Sequence, residues 1–104
     1  AKHEVYIASY YLKIGAYIAS SERAKYMLET YPGAPAAKEA LIILVNSYNN
    51  LNMYKLAKEA ADVLLANYSD YTYVINDDST VSISDKNKTT QKTSNDSFFG
   101  LGLF

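Results

Sequence analysis

Shifted by 37 residues, the N-terminal part of this chain falls on itself: Tyr11 meets Tyr48, Tyr17 meets Tyr54, Glu22 meets Glu59, Ala24 meets Ala61, Leu28 meets Leu65 and Tyr31 meets Tyr68. Val5 on Ile42 and Ile7 on Leu44 are conservative matches in the same register. A repeat of this length has room for two helices. That is the signature of a solenoid, whose units bury their apolar sides only against their neighbours. The chain is therefore restricted to stacked helical hairpins. With 104 residues it can bury only a modest core, so any function has to sit on a surface.

Apolar spacing supports the same reading. Tyr17, Ser20, Ala24, Met27, Leu28 and Tyr31 step by threes and fours, as do Tyr54, Ala57, Ala61, Leu64, Leu65 and Tyr68. Gly15 is free to take the positive φ that closes a helix, and the run Pro32-Gly33-Ala34-Pro35 stops one helix and starts the next. The spacing predicts helices at about 3–14, 17–31, 35–50 and 53–67. Small residues at Ala8, Ala24, Ala57 and Ala61 allow close helix approach, while Tyr11, Leu28, Leu44, Val45, Tyr48 and Leu65 fill the space between layers. The expected fold is all-α: two tetratricopeptide-type hairpins over 1–68 (1–33 and 34–68). Since about three repeats are usually needed for a stable array, further repeats are expected N-terminal to Ala1.

Beyond Tyr68 the composition changes. Residues 76–97 contain only Val81 and Ile83 as apolar side chains, too few to offset the entropy of ordering, so 69–97 is expected to be a largely disordered polar linker. The chain closes on an apolar cluster, Phe98 to Phe104. This is expected either to cap the open end of the last hairpin, near Tyr48, Leu56 and Leu64, or to serve as a linear motif for a partner.

Composition excludes several classes of function. A net charge of −1 provides no basic field for nucleic acid and no polybasic membrane patch. The absence of Cys excludes disulfides, thiolate catalysis and Cys-based metal sites. His3, the single histidine, has no partner for a catalytic dyad or metal site. Asp70, Asp77, Asp78 and Asp85 lack the spacing of a calcium loop, and Ser20, Ser21, Ser82 and Ser84 lack a base. No catalytic residue, cofactor or metal is expected.

Protein binding remains. The first helix of each hairpin lines the concave side, presenting Lys2, Val5, Ser9, Leu12 and Lys13, then Glu39, Ile42, Asn46, Asn49 and Asn50. Asparagine both donates and accepts, so Asn46, Asn49 and Asn50 are candidates to clamp an extended peptide backbone. Glu22, Arg23 and Glu29 lie on the second helix, on the outer side, where charge-assisted contact with a partner domain competes with simple pairing along the helix.

The runs Tyr10-Tyr11-Leu12-Lys13-Ile14-Gly15-Ala16-Tyr17, Glu22-Arg23-Ala24-Lys25-Tyr26, Glu29-Thr30-Tyr31-Pro32-Gly33-Ala34-Pro35-Ala36 and Glu39-Ala40-Leu41 resemble the C-terminal repeats of the BamD (ComL) family. The likeness covers about residues 1–68 and departs from the family pattern at Ser9 and at Asn67-Tyr68-Ser69-Asp70. It implies a non-catalytic scaffold of the outer-membrane β-barrel assembly machinery. Such a scaffold would be lipid-anchored at the periplasmic face through an N-terminal part outside this chain. Its expected partners are the POTRA region of the barrel-forming subunit and fellow assembly lipoproteins. The alternative is a general peptide-binding adaptor that uses the asparagine groove.

Overall fold

The computed structural model describes residues 2–87, with side chains from His3 onward. Four helices come first: α1 (Lys2–Lys13), α2 (Tyr17–Thr30), α3 (Ala37–Asn50) and α4 (Tyr54–Asn67). They are followed by two strands, β1 (Tyr71–Ile75) and β2 (Val81–Asp85). Each helix packs against the next, and α1 also touches α3, as expected of two stacked antiparallel hairpins.

The repeat extends to individual hydrogen bonds. Where α1 ends, the Ala16 N–H reaches the Tyr11 carbonyl at 2.8 Å and the Gly15 N–H reaches Leu12 at 3.1 Å. One period later, Met53 bonds Tyr48 at 2.8 Å and Asn52 bonds Asn49 at 3.1 Å. These crossed pairs are Schellman closures, which require a left-handed residue. Gly15 (φ 82°) and Asn52 (φ 61°) supply it at equivalent positions. Asparagine is the side chain that best tolerates that conformation after glycine, so the turn survives the change of residue. The third helix starts two residues later than the spacing suggests, because Pro35 sits in a turn closed by the Ala37 N–H on the Ala34 carbonyl.

The core lies between the layers. Ala8, Ala24, Ala57 and Ala61 are fully buried, so the helix backbones approach closely. Met27, Val45 and Leu64 provide the largest fully buried side chains. Leu44 is buried with them, whereas Tyr11, Leu28, Tyr48 and Leu65 are half-buried. Burying tyrosine rings with a wet hydroxyl edge suits so thin a stack. One polar contact crosses it: Ser20 of α2 and Ser47 of α3, both buried, bring their hydroxyls to 2.5 Å. Ser20 donates to the Tyr17 carbonyl, which leaves Ser47 to donate to Ser20, so the pair is satisfied where a lone hydroxyl would be costly.

The expectation of an all-α fold is corrected by β1 and β2, and that of a disordered linker over 69–97 is corrected over 71–85. These strands pair antiparallel with Tyr73 opposite Ile83, and the sheet has two strands. Asn76 to Ser79 form the turn, in which the Ser79 N–H bonds the Asn76 carbonyl and Ser79 takes φ 75°. Asp78 accepts from the N–H and hydroxyl of Thr80, which pins the loop. Composition misled because only one face of each strand needs to be apolar, and here the helices supply the other half of the core. Val81, on that inward face, is 3% exposed within the helical core cluster. The hairpin packs on α3 and α4 just as α3 itself packs on α1 and α2, so it takes the place a third repeat's first helix would occupy. Residues 88–97 and the expected cap at Phe98 to Phe104 lie outside the described residues.

Candidate protein-binding surfaces

On the first hairpin, Glu22 and Arg23 project from α2 beside Tyr26 and Ala19 and, with Tyr11 and Glu4 of α1, line an open cleft of 390 Å³. Helical spacing puts Ala19, Glu22, Arg23 and Tyr26 on one stripe of α2, since they step by three, one and three residues. Among the described residues, Glu22, Arg23 and Glu29 form no ion pair; the pair present there is Lys58–Asp62, at 3.0 Å on α4. Both carboxylates and the guanidinium are exposed to solvent. Glu29 sits in the last turn of α2, outside the residues lining the cleft, so the structure brings together two of the three.

The asparagines of α3 behave differently from one another. Asn49 donates its amide to the Val81 carbonyl at 2.8 Å and accepts from the Val81 N–H at 3.0 Å. It does hold an extended backbone, but the backbone belongs to β2 of the same chain. Asn50, exposed, donates to the Asn46 carbonyl at 2.8 Å, a local bond along the helix.

A second anchor of the hairpin lies on α4. The Tyr73 hydroxyl donates to Asp62 at 2.6 Å, and Lys58 pairs with the other carboxylate oxygen. At the opposite end the Lys38 ammonium stands 5.6 Å from the Tyr71 ring centroid. None of these contacts is anticipated above, although the alternation in Tyr71 to Ile75 and Val81 to Asp85 around Asn76-Asp77-Asp78-Ser79 is a hairpin signal.

The Tyr73 hydroxyl, with Lys58 second, lowers the Asp62 pKa below its ordinary 3.8. Asp62 in turn raises Tyr73 above 10.0. A depressed carboxylate stabilises above its unfolded pKa and loses that contribution as pH falls through the folded value. A raised phenol stabilises below its unfolded pKa and loses the contribution as pH rises through the folded one. Docking of the hairpin is therefore expected to loosen on the acid side of 3.8 and the alkaline side of 10.0. Amide exchange over 71–85 in the wild type and in Asp62→Asn would check this: the variant should lose the acid limb. An unchanged acid limb would show that another group controls it.

Among the described residues no group of three His, Cys, Asp or Glu side chains is gathered to hold a metal, and the Ser20 and Ser21 hydroxyls are spent on the Tyr17 and Ile18 carbonyls. No helix of the described residues is long and apolar enough to cross a membrane.

Residues 1–64 match the family model described as YfiO, outer membrane lipoprotein. The outer membrane protein assembly factor BamD of Xylella fastidiosa (strain Temecula1) is 35% identical over 74 residues, which are 71% of this chain and 25% of that protein. The BamD of Pasteurella multocida is 37% identical over 67 residues (64% of this chain, 26% of the relative). That of Neisseria gonorrhoeae is 38% identical over 66 (64% and 25%). The chain thus spans about a quarter of the length of these curated relatives. No solved structure matches it. The family match over 1–64, more than half of the chain, with these relatives beside it, shows that the chain belongs to the YfiO/BamD family of outer membrane lipoproteins.

Proposed function

We propose that this chain is a binding segment of a non-catalytic scaffold in outer membrane protein assembly, acting at the periplasmic face of the outer membrane. Its relatives carry the name of outer membrane protein assembly factors, which supports the general role. The observation that carries the local reading is the cleft on the first hairpin, where Glu22 and Arg23 stand exposed beside Tyr11 and Tyr26 and, among the described residues, form no ion pair. Arginine and tyrosine are the side chains most enriched at protein-interface hot spots, and a guanidinium not already paired loses no bond when a partner's carboxylate arrives. The partner we assign is the POTRA region of the barrel-forming subunit, with fellow assembly lipoproteins beside it. Glu29 would contribute at the rim.

The exposed face of α1 supports membership of a longer array. Tyr6 is 73% and Tyr10 55% exposed, while their equivalents one period on, Ile43 and Ser47, are 6% and 0% exposed where α2 covers α3. A preceding hairpin is the element that would cover them.

The extended-peptide groove is the second reading, favoured by the bidentate hold of Asn49 on Val81. A peptide using Asn49 would have to displace β2; Asn46 and Asn50 lie next to that contact.

Binding of the chain to the purified POTRA region separates the two readings. Arg23→Glu is expected to weaken binding at least tenfold, with Glu22→Lys in the same direction, and Asn46→Ala and Asn50→Ala should leave it unchanged. Loss of binding confined to the asparagine variants would reject the scaffold cleft in favour of the groove.

A further inference from the structure

The two edges of the β-hairpin are treated unequally. In the observed register, bonds at Asp70–Lys86 and Asn76–Thr80 mark the hydrogen-bonded pairs, so in β1 the N–H and C=O groups of Thr72 and Val74 point at β2. Those of Tyr71, Tyr73 and Ile75 point away. On β2 the outward groups belong to Val81, Ile83 and Asp85. That edge is guarded: Asn49 takes both backbone groups of Val81, and Asp85 places a charge at its end. Among the described residues, nothing protects the edge of β1 in this way. Among the described residues, its only outward backbone partner is Tyr68, whose carbonyl accepts from the Tyr71 N–H at 3.2 Å. Tyr71 through Ile75 carries no charge, no proline and no bulge, and Val74 and Ile75 are 58% and 50% exposed. Natural edges are usually blunted by one of those devices.

We infer that this edge pairs with the same edge of a second copy of the chain, forming a four-stranded antiparallel sheet in the order β2-β1-β1-β2. The strand is self-complementary about Tyr73. With the two-fold axis there, the Tyr73 N–H meets the carbonyl of Tyr73 in the second copy, and the Ile75 N–H meets the carbonyl of Tyr71 in the second copy. Both bonds repeat by symmetry, and the pairing leaves alone the one N–H already in use, that of Tyr71. The solvent face would set Val74 of each copy across from Thr72 of the other, a β-branched pair suited to a strand. A net charge of −1 per chain opposes association little. This surface is separate from the Arg23 cleft and does not depend on it.

Sedimentation equilibrium of the whole chain from micromolar to millimolar concentration tests the inference. The expected result is a concentration-dependent doubling of the 11.6 kDa mass. Ile75→Pro removes an N–H that points away from β2, so the intramolecular ladder stays intact while the edge is blocked. It should hold the chain monomeric, whereas Ile75→Val, which keeps the N–H, should dimerise like the wild type. Helical circular dichroism of both variants should be unchanged, showing that they fold. A wild type that stays monomeric to millimolar concentration overturns the inference. So does a dimer that Ile75→Pro leaves intact, because its contact then lies elsewhere, or assembly beyond the dimer, because the two-fold pairing closes.

Discussion

Replacing Leu64 with alanine is expected to lower the free energy of unfolding by about 3 kcal/mol, in the lower half of the range for deleting a fully buried leucine side chain. Leu64 is 0% exposed at the position equivalent to Met27, also 0% exposed, and each supplies much of the bulk that its hairpin places between layers otherwise lined by alanine. Ala60 and Ala61, four and three residues earlier on the same face of α4, are short and sit on a rigid helix, so they cannot close the vacated space and the cavity remains. A urea titration followed by far-ultraviolet circular dichroism would read the shift, with Val63→Ala as reference. Val63 is one residue away but 48% exposed, so its change should be within about 0.5 kcal/mol. Equal effects at 63 and 64 would contradict the facing of α4. A small domain has on the order of 5 kcal/mol to lose, so the Leu64 variant should be partly unfolded at physiological temperature.

Asn49→Ala should have the next largest effect, about 2–3 kcal/mol, in a different part of the molecule. The substitution strips both bonds from Val81, whose N–H and C=O are then left without those partners at a position 3% exposed. The cost of two unsatisfied backbone groups can be avoided only by undocking the hairpin. Amide exchange should therefore accelerate across 71–85 while α1 and α2 keep their protection. Asn50→Ala, an exposed residue whose one contact is within its own helix, is the control and should change nothing measurable. Protection of the hairpin surviving Asn49→Ala would mean that Tyr73 with Asp62 and Lys38 with Tyr71 carry the docking.

The two variants also separate what was legible in the residues from what was not. That Glu22 and Arg23 lie on the exposed side of α2 is legible from the period, because Glu22 falls across the helix from Ala24 and Arg23 at the flank of the buried face. That these groups form no ion pair among the described residues, and that Tyr11 and Tyr26 line an open cleft with them, depends on how α1 leans on α2. The amide of Asn49 suits it to hold an extended backbone, but which backbone it holds is not legible in the residues. Val81 lies 32 residues away, and nothing local to either residue records the other.

By itself the sequence determined the repeat, the four helices and their closures. These are local properties: the apolar period sets which face is buried, and Gly15 and Asn52 set where each first helix must turn, within one or two turns of chain. Only the tertiary structure decided that Ser20 and Ser47 satisfy each other, that Asn49 faces inward, and that residues 71–85 are ordered at all. A two-stranded hairpin with one wet face does not bury enough to fold alone. It becomes stable because α3 and α4 offer an apolar surface that a further helix would otherwise have covered, and that surface is assembled from residues far apart in the chain.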